Sequence, residues 1–165
     1  MRPALAPFLG RRRFAAHLLR LGLRLGLGWA AVGCDPGNNE PPHPPPEVYE
    51  APSDFSGAWR GEVDGIAGSL RIDRLGEGRY YANFRGKDRP ERYILSMTQT
   101  RAEVADGETA LANVASFTWQ DGRGAVGTGW MLINRENTTI TGTFGRGGAM
   151  SGMGVWTFVR DDVGR

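Results

Sequence analysis

Between about residues 55 and 160, apolar and polar residues alternate with a period of two, and short turn-forming clusters separate the runs. Phe55, Gly57, Trp59, Gly61 and Val63 share one face of a first predicted strand, and Ile66, Gly68, Leu70 and Ile72 one face of a second. Tyr80, Ala82 and Phe84 mark a third, which Gly86 to Pro90 close. A fourth begins near Arg92, carries Tyr93, Leu95 and Met97 on one face, and reaches towards Val104. After Asp106-Gly107 come Leu111, Asn113, Ala115, Phe117 and Trp119 in a fifth; a sixth aligns Val126, Thr128, Trp130 and Leu132. In a seventh, Thr139, Thr141 and Thr143 oppose Ile140, Gly142 and Phe144, and an eighth aligns Gly154, Trp156 and Phe158. No comparable stretch here has a helical period. The fold class is all-β, with eight antiparallel strands.

Eight strands with short connections can close into an up-and-down barrel, which removes the exposed edges an open sheet would leave. A two-sheet β-sandwich is the alternative, because strand count and alternation are common to both. The predicted inward set contains eleven aromatics, including Tyr80, Tyr93, Phe117, Trp119, Trp130 and Trp156. An eight-stranded barrel is just wide enough to be filled by side chains or to hold one small ligand. The aromatics argue for filling. The inward glycines Gly57, Gly61, Gly68, Gly142 and Gly154 argue for residual space.

Composition changes sharply before this region. Residues 1–33 hold six arginines and no acid, and end in the nine-residue apolar run Leu25–Gly33, the length of a signal-peptide core and too short to span a bilayer. Residues 35–54 contain seven prolines and favour an extended polyproline spacer, reaching at most about 60 Å. Between them, Ala31-Val32-Gly33 precede Cys34, the one cysteine in the chain. This arrangement resembles the lipobox of bacterial lipoproteins, in which small residues allow cleavage and the cysteine thiol is acylated. The resemblance implies a lipid anchor at Cys34 and a place in the bacterial cell envelope, on the inner or the outer membrane. Arg11-Arg12-Arg13-Phe14 is similar to a twin-arginine export motif, and the general export route is the alternative. The domains expected are a signal peptide (1–33), acylated cysteine and disordered linker (34–54), β-barrel (55–160) and tail (161–165).

Removing the leader reverses the charge. The chain carries +2, but beyond residue 33 it has 14 basic and 18 acidic residues, a net −4. The basic balance belongs to the segment expected to be cleaved, so nucleic acid is not an expected partner.

His17 and His43 precede the barrel, as does Cys34. The barrel therefore lacks the residues for Ser-His-Asp or Cys-His catalysis and for a histidine or thiolate metal site. Its acids are scattered, mostly in turns and at outward positions, where they are solvated surface charge. No enzyme, metal or cofactor is predicted. Gly57-Ala58-Trp59 on the first strand and Arg160 ending the last resemble the calycin pattern of lipocalins and avidins. That resemblance implies that Trp59 sits near the barrel base, covered by Arg160. Two functions follow. One is binding of a small apolar or amphipathic ligand by Tyr80, Tyr93, Asn113, Trp119, Thr128 and Trp130. The other is a filled, non-catalytic envelope module that meets a partner protein.

Overall fold

Strands form where β-branched and aromatic residues alternate with polar ones, and they break at residues that tolerate a left-handed backbone. The computed structural model describes residues 43–88 and 90–161, so the leader, Cys34, the start of the proline run and residues 162–165 lie outside the described residues. The strands are β1 (Gly57–Val63), β2 (Ile66–Gly76), β3 (Arg79–Gly86), β4 (Arg92–Ala105), β5 (Glu108–Asp121), β6 (Val126–Ile133), β7 (Thr139–Arg146) and β8 (Gly154–Arg160). At Asp64-Gly65 and Asp106-Gly107 both turn residues have positive φ, as tight hairpins twisting with their strands require.

Each strand pairs antiparallel with the next, and β8 returns to β1, closing one barrel. The register sets Trp59 opposite Arg160, Gly61 opposite Phe158 and Val63 opposite Trp156. That ladder decides between the two architectures. A sandwich would leave β1 and β8 as edges; here they satisfy each other's backbone groups.

Inside, opposite walls touch. Tyr93 on β4 and Trp156 on β8 lie four strands apart, yet their ring centroids are 5.8 Å apart. Phe117 of β5 meets Trp156 at 5.6 Å, and Phe84 of β3 meets Phe158 of β8 at 6.0 Å. All three pairs are edge-to-face, the arrangement that places ring edges on ring faces.

The inward glycines do not leave space. A methyl group at Gly68 would lie 2.6 Å from the Phe84 ring, at Gly127 2.6 Å from the Trp119 indole, and at Gly61 2.8 Å from the Phe158 ring. At these three positions rings of neighbouring strands occupy the volume a side chain would have taken; at Gly57 the Arg160 guanidinium, at Gly142 the β6 backbone and at Gly154 the Asp64 side chain do so. The expectation of residual space is therefore corrected.

Two further differences come from the strand register and from the hydrogen bonds of the linker. On β6 the buried face is Gly127, Gly129, Met131 and Ile133, whereas Val126, Thr128, Trp130 and Leu132 face outward. Pairing places Phe117 opposite Gly129 and Trp119 opposite Gly127, and only glycines clear those rings. A one-residue change of phase exchanges the faces of a whole strand. The second difference concerns the linker, expected to run without structure to residue 54. The Glu47 backbone instead donates to Asn113 Oδ1 and accepts from the Asn113 N–H of β5, and the Asp54 N–H donates to Asn137 Oδ1 before β7. These contacts hold the end of the linker to the barrel.

Candidate functional site

The barrel offers three places for chemistry: its base, its bore with the mouth above it, and its outer wall. The base holds the chain ends. Arg160, the last residue of β8, lays its guanidinium 4.1 Å from the centroid of the Trp59 ring. The same guanidinium donates to the carbonyls of Asn137 (2.6 Å), Ser56 (2.6 Å) and Asp54 (2.7 Å). Trp59 is fully buried, and its indole N–H donates to the Phe55 carbonyl at 3.0 Å. Gly57 has φ +129°, and a methyl group there would lie 2.6 Å from the guanidinium. The expected trio of Gly57, Trp59 and Arg160 is thus one clamp, binding the segment before β1 and the turn before β7 to the end of β8.

A buried polar hub lies at the same end. The Tyr80 hydroxyl donates to Gln99 Oε1 at 2.8 Å, and Gln99 Nε2 donates to the carbonyls of Ala112 (2.7 Å) and Ser53 (3.1 Å). Tyr80 is 1 % exposed, and burial pushes its hydroxyl above the ordinary tyrosine range. Burial also works to raise Asp54, but the Ser56 hydroxyl and N–H together with Arg74 outweigh it and hold the carboxyl below its usual value. Gln99 is a site residue the pattern reading missed. Its position two residues beyond Met97, on an otherwise apolar face, was the available signal.

Asn113 is buried, but it does not face a ligand space. Its Oδ1 accepts the Glu47 N–H at 2.7 Å, its backbone N–H donates to the Glu47 carbonyl at 2.8 Å, and its Nδ2 donates to the Tyr49 hydroxyl at 2.6 Å. Alternation fails here, because Ala112, Asn113, Val114 and Ala115 are all buried. Between the β4 partners Gln99 and Arg101, β5 advances from Ala115 to Leu111, and this bulge frees Asn113 to grip the incoming chain.

At the mouth, Tyr93 packs on Trp119 at 5.6 Å and on Phe144 at 6.1 Å. Burial, then the carboxylates of Asp121, Glu91 and Asp64, push its hydroxyl above the ordinary tyrosine range. Trp119 donates to the Gly145 carbonyl at 3.0 Å, so its polar atom is already used. Trp156, by contrast, is fully buried, and its Nε1 has no hydrogen-bond partner.

The six expected ligand-binding residues therefore do not converge. Tyr80 and Asn113 serve the base and the linker, Tyr93 and Trp119 fill the mouth, and Thr128 and Trp130 stand on the outer wall. Thr128 donates its hydroxyl to the Ala149 carbonyl at 3.0 Å. Trp130 lies between Ser116 and Thr143 on the neighbouring strands. The clearest surface depressions are shallow hollows of about 390–460 Å³, lined mainly by outward wall residues or by mouth loops. Among the described residues, no three His, Cys, Asp or Glu side chains gather as metal ligands would. Comparison of the chain with protein-family models, with curated proteins and with solved structures finds no match.

Proposed function

We propose that this chain is a bacterial envelope lipoprotein, exported, acylated at Cys34 and held by its proline-rich linker, whose filled barrel is a non-catalytic interaction module. One observation carries the choice of a filled module over a ligand carrier: rings on opposite walls of the barrel meet across its bore, as Tyr93 and Trp156 do at 5.8 Å. A lumen closed by ring-on-ring contact gives a lipocalin-like carrier no room without rearrangement. Function then falls to the outer wall and the linker.

A second reading keeps the small apolar ligand, and the buried Trp156 Nε1 favours it. An indole donor without a partner costs free energy that a ligand acceptor would recover, about 1–3 kcal/mol. Native mass spectrometry of the purified chain separates the two. The filled-module reading expects the bare polypeptide mass; a stoichiometric small molecule that leaves under mild activation overturns it. Acylation is read independently from intact mass in a lipoprotein-processing host. Wild type should gain lipid mass and Cys34→Ala should not; equal masses and equal membrane fractions would remove the anchor.

A further inference from the structure

The outer wall of β1 to β4 carries a cluster of cations, three of which have no ion-pair partner among the described residues. Register places Arg60, Ser69, Arg85 and Arg92 in one row across four strands, each directly opposite the next. At about 4.8 Å between strands, that row spans roughly 14 Å. Arg71 lies two residues from Ser69 on β2, and Lys87 two residues from Arg85 beyond the end of β3; all six residues are exposed. The floor between them is small: Ala67, Gly68, Ser69 and Gly86 line a shallow hollow rimmed by Arg60, Arg85 and Lys87, with the Asp161 carboxylate beside Arg60.

Two of these cations have partners. Arg60 pairs with Asp161, and Arg71 with Asp73 at 3.0 Å. Among the described residues, no carboxylate lies within ion-pair distance of Arg85, Lys87 or Arg92. Other acids of this region are Glu62, beside Ala67 in the adjacent row, Glu103 further along β4, and Asp88 and Glu91 between β3 and β4; none pairs with Arg85, Lys87 or Arg92. Arg85 and Arg92 are direct cross-strand neighbours, and like charges so placed destabilise a sheet. The chain beyond residue 33 is net acidic, so this cluster does not follow from overall composition.

From this geometry we infer that the β1–β4 wall docks on an anionic lipid surface, with Arg85, Lys87 and Arg92 seated among phosphate headgroups around the Ser69 hollow. A bilayer fits because Arg85, Lys87 and Arg92 lie side by side on the convex wall at β3 and β4, beside a hollow that is open and does not enclose a single ligand. The inference deepens the membrane-tethered reading above, but it predicts binding by the wall itself, with or without an acyl chain.

The test uses the full chain carrying Cys34→Ala, so that no lipid anchor contributes. It is mixed with phosphatidylcholine vesicles, with or without phosphatidylglycerol, and binding is read by sedimentation. Each cation near an anionic surface contributes about 1 kcal/mol, so Arg85→Gln with Arg92→Gln should weaken binding to anionic vesicles about 30-fold. Arg123→Gln with Arg146→Gln removes the same charge elsewhere and should leave binding within about threefold of the parent, set by diffuse attraction alone. Vesicles should also slow hydrogen exchange at residues 60–71 and 85–92, which the arginine-rich leader cannot mimic. Equal weakening by both pairs, equal binding to neutral vesicles, or no protection of those residues would overturn the proposal. Acylation is read by mass in a separate experiment, so loss of the anchor and loss of the wall are distinguishable.

Discussion

Removing Arg160 tests how the barrel is closed. Its guanidinium makes three hydrogen bonds of 2.6–2.7 Å to the carbonyls of Asn137, Ser56 and Asp54, and stacks 4.1 Å above the Trp59 ring. Hydrogen bonds to a charged group contribute about 1.5–3 kcal/mol each. Here the carbonyls are only part-buried, and water can replace the guanidinium when it is lost. The lower end applies, and the cation–π contact adds about 0.5–2 kcal/mol. These contributions share one side chain and are not additive, so Arg160→Ala should destabilise the domain by about 3 kcal/mol. Arg160→Lys keeps the charge but cannot span three carbonyls, and should recover less than half of that loss. The assay is urea unfolding followed by far-ultraviolet circular dichroism, with Trp59→Phe as the second arm of a double-mutant cycle. Contact between the two side chains predicts a coupling above about 0.5 kcal/mol. Additivity within about 0.3 kcal/mol, together with a loss under about 1 kcal/mol for Arg160→Ala, would refute the clamp.

Three other outcomes follow from the packing. Gly129→Ala should lower the urea midpoint by the equivalent of about 1–3 kcal/mol, because its methyl group would collide with the Phe117 ring and the Thr143 carbonyl; an unchanged midpoint would mean the ring does not lie over the glycine. Asn113→Leu should free the linker from β5, seen as faster hydrogen exchange at residues 47–54 with little change in the barrel amides. The pKa of Tyr93 is raised in the fold above its ordinary value of about 10, so the folded state holds that proton more tightly. This contribution is fully present below pH 10 and is lost as pH rises through the folded pKa, and Tyr93→Phe should flatten the alkaline limb of the stability profile.

Alternation along the chain was enough to determine eight strands, because a half-buried strand must place its apolar residues on one side of the backbone. It also located the inner faces of six strands, in which the largest buried residues share one side. The base clamp was legible through a resemblance, since Gly57, Trp59 and Arg160 sit near the chain ends that closure brings together.

The β6 face was not legible. Both of its sides are apolar enough to be buried, with Val126, Trp130 and Leu132 on one and Met131 and Ile133 on the other. The choice was made by β5, whose Phe117 and Trp119 rings need bare backbone opposite them, and no local window of β6 records that need. Asn113 was read as an inward polar residue because its strand was taken as regular. The bulge that gives it to Glu47 and Tyr49 exists only when β4, β5 and the linker are together. Alternation reports which residues share a face. Whether a face is inside, and whether the space within is open or filled, depends on side chains contributed by the far wall of the closed barrel.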